Sequence, residues 1–329
     1  MKAKYVSDYL PNQNVDDVFL VIRKEIRPKK QGGDFIFTVL ADRTGAITAF
    51  LWDNVDVFRA KFDVDQFVHV IGMTKEFNNA TQITIHKIRR VESDQVELDD
   101  FIRKSHRDTD QSYAALLDCI HQEVTDPYLR RLLLDIFGEP ELQARFKQCP
   151  AAKALHHAYI GGLLDHTLSV MQLCIRICQH YPFLNKSMLL AGAALHDIGK
   201  LDELVWGKSI DYTDEGRLVG HITMEAILLD RRMSAVPDFP ADLRMELLHL
   251  VISHHRELEF GSPKRPKTLE ALALSYLDDL DAKLGTFLEA IQQAGESDHW
   301  TPYNTNLQRF IYRRSAAEDK PAEGGGTDE

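Results

Sequence analysis

The spacing of apolar and polar positions divides the chain into two kinds of structure. From Val18 to Arg90 the pattern is strand-like. Apolar runs at Val18–Ile26, Phe35–Ala41, Ala46–Trp52, Phe67–Lys75 and Ala80–Arg90 are rich in β-branched and aromatic residues, as strands are. Turn residues separate the first three runs, and Asn54–Lys61 reads as a short helix. Five short strands with one helix before the fourth match a small Greek-key barrel of the OB kind. In the third strand Ile47, Ala49 and Leu51 alternate with Thr48, Phe50 and Trp52. One set must face the core; periodicity alone does not choose, and we take Ile47, Ala49 and Leu51.

Beyond a charged stretch, Val91–Asp110, the period changes. Leu116, Leu117, Ile120, Val124, Leu129, Leu132 and Leu133 recur at three and four, the spacing of a helix face, with a break at Asp126-Pro127. Helices separated by short Gly/Pro breaks then run to about Arg314, with no strand expected. The pattern predicts a multidomain chain: a small N-terminal β-barrel over residues 1–95, a linker over 96–112, an all-α domain over 113–314, and a disordered low-complexity tail over 315–329.

Within the helical part, polar residues interrupt apolar runs at telling places. The run LLAGAALHDIGKL, Leu189 to Leu201, reads as one helix that delivers His196 and Asp197 side by side with Lys200 a turn later. His166 sits in GLLDHTLSV, His221 in LVGHITM, His254-His255 after an apolar run over Leu243–Ser253, and Asp278 and Asp281 in SYLDDLDAKL. One buried histidine is usually structural. Repeated imidazoles and carboxylates at core-facing positions are a usual way to hold transition metals in an all-α scaffold.

Composition adds limits. No apolar run reaches the roughly 18 residues of a membrane span, and the N-terminus lacks a signal-peptide core. Cys119, Cys149, Cys174 and Cys178 have no zinc or CxxC spacing, and Cys174 and Cys178 read as buried thiols; a cytoplasmic location is expected. The net charge is −11, but residues 1–90 carry 14 basic and 11 acidic side chains, so the barrel is the part less repelled by phosphate. Phe35, Phe37, Phe50 and Trp52 are candidates for stacking on bases, with Lys29 and Lys30 beside them; simple packing and an ordinary solvated surface are the alternatives.

The order His166, His196-Asp197, Asp278 resembles the HD superfamily of metal-dependent phosphohydrolases. HHAYIGGLLDHTLSV, LHDIGKL, YTDEGRLVGH, SHHRELEFGSPKRP and ALSYLDDLDAKL, with LADRTGAITAFLWD in the barrel, together resemble the YhaM-type 3'-to-5' exoribonucleases over residues 15 to 290. The resemblance implies a first metal on His166, His196, Asp197 and Asp278. It implies a second, bridged by Asp197, on His221 with His254 and His255, of which one or both would be ligands. Asp281 would orient a ligand histidine from behind. His156, His157 and His249 are left as structural or substrate-facing.

Two metals would clamp a phosphodiester and activate water, with Asp197 and Lys200 as the catalytic groups. The expected cofactor is a pair of divalent ions, Mn2+ first, then Co2+, Fe2+ or Mg2+. The implied activity is a 3'-to-5' exoribonuclease on single-stranded RNA giving 5'-mononucleotides, with single-stranded DNA left open. Lys264 and Arg265 are candidate backbone contacts, with an ordinary solvated loop as the alternative, and assembly into a homo-oligomer is left open. The rival readings are an HD-type nucleotide or cyclic-dinucleotide phosphohydrolase and a non-catalytic nucleic-acid-binding scaffold.

Overall fold

A computed structural model describes residues 2–30, 32–77, 80–153, 157–207, 209–293, 299–301, 303–304 and 307–314. His156 and the tail over 315–329 lie outside the described residues. Strands β1 (Asn14–Pro28), β2 (Asp34–Asp42), β3 (Gly45–Leu51), β4 (Phe67–Phe77) and β5 (Ala80–Val91) form a closed barrel in the order β1-β2-β3-β5-β4, with helix α1 (Val55–Phe58) before β4. The period-2 pattern sets the registers: Ile36 faces Leu51, Thr38 faces Ala49 and Leu40 faces Ile47, all with buried side chains. Ile47, Ala49 and Leu51 are therefore the core set, and Phe50 and Trp52 point outward. A parallel pairing of β3 with β5 closes the barrel. At the β4–β5 irregularity, Gly72 lets the strands meet, since a Cβ there would lie 2.3 Å from the Thr84 carbonyl oxygen.

The charged linker is held at both ends. Phe101 is buried against Phe67, with ring centroids 4.7 Å apart, under the barrel. Lys104 then bridges Ile160 through the Ser105 amide on the Ile160 carbonyl at 2.9 Å.

The helical body comprises α2 (Thr109–Glu123), α3 (Pro127–Phe137), α4 (Pro140–Phe146), α5 (Gly162–His180), α6 (Lys186–Leu195), α7 (Lys200–Glu203), α8 (Asp214–Val219), α9 (His221–Ala235), α10 (Ala241–Ser253) and α11 (Leu269–Gln293). Asp126, at the predicted break, caps α3 by accepting from the Tyr128 and Leu129 amides, with Pro127 in the first turn. Helix α6 is apolar nearly all round, and Ser187 through Leu195 are all buried. Such a helix belongs at the centre of a bundle, and α5, α10 and α11 surround it.

Two expectations are corrected. The Leu189–Leu201 run is not one helix: α6 stops at Leu195, and His196 to Gly199 form a tight turn with i→i+3 bonds (Ile198 amide to Leu195, Lys200 amide to Asp197, both 3.0 Å). The cause is tertiary. A Cβ at position 199 would lie 2.3 Å from the His221 carbonyl oxygen, so Gly199 and the start of α9 pack backbone to backbone. The helical body also contains a hairpin, β6 (Leu204–Trp206) with β7 (Ile210–Tyr212). Three-residue strands are too short to show a period.

Truncating Leu195, fully buried where α6 delivers the turn, is predicted to cost about 2–5 kcal/mol. Urea unfolding of Leu195→Ala, followed by helical circular dichroism, measures it. A loss under about 1 kcal/mol would contradict the central place given to α6.

Candidate metal centre and aromatic face

Five segments bring their polar residues to one point. His166 comes from α5, His196 and Asp197 from the turn after α6, His221 from the start of α9, His254 and His255 from the end of α10, and Asp278 from α11. His166 Nε2 lies 3.2 Å from His196 Nε2, 3.1 Å from Asp278 Oδ1 and 3.6 Å from Asp197 Oδ2. His196 Nε2 lies 3.4 Å from the same Asp197 oxygen. The other oxygen, Asp197 Oδ1, faces His221 Nε2 at 3.7 Å and His254 Nε2 at 3.9 Å. One carboxylate thus presents its two oxygens to two groups of imidazoles. His166, His196 and Asp197 form one compact donor set, and His221, His254 and His255 form another.

Each ring is oriented by its far nitrogen, as metal-binding histidines usually are. Nδ1 of His196 donates to the Ala193 carbonyl at 2.9 Å, that of His254 to Val251 at 2.6 Å and that of His255 to Phe260 at 2.8 Å. His221 Nδ1 donates to Glu203 and His166 Nδ1 to Asp281, at 2.9 and 2.8 Å. The Nε2 atoms are left pointing inward. Asp197 Oδ1, His221 Nε2 and His254 Nε2 are buried and have no hydrogen-bond partner. Orphaned buried donors of this chemistry are what a divalent ion would satisfy.

The charges fit. Burial alone would raise the Asp197 carboxyl, but Lys200 and the surrounding histidines hold it well below the usual carboxylate range. Lys200 Nζ lies 2.7 Å from Asp197 Oδ2, and that carboxylate, against the cost of burial, keeps the ammonium charged. Burial, with the nearby charges of His255 and His196, pushes His254 well below the ordinary imidazole value, leaving it neutral as a ligand must be. His255 is lowered too, by burial and His221. His166 runs the other way. Burial would lower it, yet hydrogen bonds with Asp278 and Asp281 raise it to about 9.

Asp281 therefore lies behind His166 and also accepts from Ser169. Several residues escaped the sequence reading. Glu203 holds His221. Glu225 is fully buried one turn after His221, near the Gly199 amide and 3.8 Å from His254 Nδ1; its i+4 spacing from His221 was the available signal. A chain from Ser105 through Asp165, Tyr159 and His157 reaches Asp281. No spacing in the sequence announces it.

The cavity over the cluster is lined by His166, Asp197, Lys200, His254, His255 and Asp278, and by Arg256 and Phe260. Lys264 lines a separate groove beside His249, and Arg265 pairs with Glu257 at 2.8 Å; neither lines the metal cavity.

On the barrel, the four predicted aromatics form one cluster on the outer face. Trp52 stacks on Phe35 and Phe50 with centroids 4.6 and 5.5 Å apart, and Phe50 meets Phe37 edge-on at 5.7 Å. Trp52 is 40% exposed. Arg27, which the sequence did not single out, covers Phe37 at 4.0 Å. The Lys29 amine bonds the Trp52 carbonyl, and Lys30 is exposed.

Comparison with known proteins adds the family relations. The HD domain model matches residues 163–283, and the OB-fold nucleic acid binding domain model matches residues 20–91. The 3'-5' exoribonuclease YhaM of Bacillus subtilis is 31% identical over 303 residues, covering 90% of this chain and 94% of that protein. The protein of the same name from Bacillus velezensis is 30% identical over 298 residues, with the same coverage.

A metal at the first donor set would have to displace the His166 proton, held up to about 9. Apparent Mn2+ affinity is therefore predicted to rise with pH from about 7 to 9, by up to tenfold per unit, and to level off above. Chelator competition across that range checks it. An affinity flat over the range would show that no such proton is displaced.

Proposed function

The chain belongs to the YhaM family of 3'-5' exoribonucleases, and from that premise we propose that it hydrolyses single-stranded RNA from the 3' end, releasing 5'-mononucleotides with two divalent ions. It is a hydrolase with an HD domain and an OB-fold barrel. The observation that carries the metal-dependent reading is the buried Asp197 carboxylate set between two groups of imidazoles, with Asp197 Oδ1, His221 Nε2 and His254 Nε2 lacking partners.

His166, His196, Asp197 and Asp278 would hold one ion; Asp197, His221, His254 and His255 the other. When bound, the ions supply Lewis-acid stabilisation of phosphate charge and a more acidic water. A donor set of five imidazoles and two carboxylates suits Mn2+, Co2+ or Fe2+ better than Mg2+. The Nδ1 bonds fix each ring before substrate arrives, so no reorganisation is needed at reaction. Lys200, charged and next to Asp197, sets a positive charge at the cavity wall where phosphate oxygens gain charge. The barrel's aromatic cluster supports binding of single strands of any sequence, since every base offers a face to stack. All four cysteines are free, which supports action in a reducing compartment such as the cytoplasm; among the described residues no helix is long and apolar enough to cross a membrane.

The test is digestion of 5'-labelled single-stranded RNA, with single-stranded DNA in parallel, in the presence of Mn2+. Wild type should give a ladder shortening from the 3' end. Asp197→Ala or chelator should suppress it by on the order of 10^2–10^3-fold or more. Intact RNA with wild type, beside turnover of nucleotides or cyclic dinucleotides, would replace this reading with a small-nucleotide phosphohydrolase.

A further inference from the structure

We propose that Phe260 is the stacking platform for the base of the 3'-terminal nucleotide, the one released in each round. The inference rests on the exoribonuclease reading. An enzyme that removes one nucleotide at a time must hold a single nucleotide beyond the scissile phosphate. The cavity over the metal cluster, about 320 Å3, is at the small end of ligand pockets. One wall carries the phosphate chemistry: His166, Asp197, Lys200 and Asp278. Arg256 and Phe260 line the same cavity, with Ser275, Asp279 and Ala282 beside them.

Phe260 is 61% exposed at the edge of a cavity otherwise lined mainly by charged and imidazole groups. Its position is fixed. It ends a short 3-10 turn, Leu258–Phe260, closed by the Gly261 amide on the Leu258 carbonyl at 3.1 Å with Gly261 in the left-handed region (φ 92°). Its carbonyl accepts from His255 Nδ1 at 2.8 Å. The Phe260 backbone is thus tied to a histidine of the cluster. Arg256 flanks it with φ 64°, a left-handed conformation that costs energy in a non-glycine residue and is found mostly where surroundings over-determine it. The Arg256 guanidinium is held over the Tyr276 ring at 4.5 Å and against Asp279 at 3.2 Å, so a braced cation, paired with a carboxylate, lines the same cavity as Phe260. One cavity that holds an exposed phenyl ring, a cation and donors for a phosphate offers partners for the base and the phosphate of one nucleotide.

The experiment is a double-mutant cycle between side chain and base. Catalytic efficiency is measured with Mn2+ on a short single-stranded RNA and on the same RNA whose last nucleotide lacks its base, using wild type, Phe260→Ala and Phe260→Trp. Stacking on one aromatic is expected to contribute roughly tenfold. Wild type should lose about that factor when the base is removed. Phe260→Ala should lose it on the intact RNA and little more on the abasic one, and Phe260→Trp should restore it. Metal content, measured on each variant, should stay at the wild-type level. Equal losses for Phe260→Ala on both substrates, or no effect of base removal on wild type, would overturn the subsite while leaving the exoribonuclease reading in place. Failure of wild type to shorten either RNA from the 3' end would overturn both.

Discussion

The structure depends on one buried carboxylate. Asp197 is 3% exposed, and a lone ionised carboxylate at that depth would be too costly to keep. It is kept because cationic and hydrogen-bonding groups converge on it: Lys200 on one oxygen, and imidazoles on both sides. Those groups come from segments distant in sequence, so the demand at Asp197 constrains α5, the turn after α6, α9 and α10 together. Without a cation between them, the inward lone pairs of His166 and His196, 3.2 Å apart, would oppose each other. The raised His166 meets that conflict with a proton; a metal would meet it better.

The scaffold answers this constraint with rigidity. Helix α6 has no polar face, so it is locked among α5, α10 and α11 and cannot rotate without exposing apolar surface. Its abrupt end, forced by Gly199 against His221, swings His196 and Asp197 inward. The outer partners then freeze each ring. The barrel works by a different principle: its core is filled by alternate residues, which leaves the opposite set, including Phe50 and Trp52, outside and stacked. An exposed aromatic face on the barrel and a fixed polar cluster in the helical body are together compatible with a chain that acts on single-stranded nucleic acid.

Much of this could be read from the sequence, for identifiable reasons. The barrel was legible because strand periodicity in β2 and β3 is strict. The converging residues were legible because each interrupts an apolar run, which makes His166, His196 and His254 visible as buried polar groups. What was hidden depends on contacts between segments. The end of α6 is set by the backbone of α9, and nothing in LHDIGKL announces it. Glu203 acts through a ring nitrogen of His221 that only the fold brings near. Lys264 and Arg265, close to His255 in sequence, lie off the metal cavity, Lys264 in a groove beside His249 and Arg265 on Glu257.

The central claim is that Asp197 joins two ions in one centre. Electron paramagnetic resonance of the Mn2+-loaded protein, together with its metal content, tests it most directly. The account predicts two ions per chain with an exchange-coupled signal, and loss of that coupling in Asp197→Asn. A single uncoupled ion per chain, unchanged by Asp197→Asn, would contradict it.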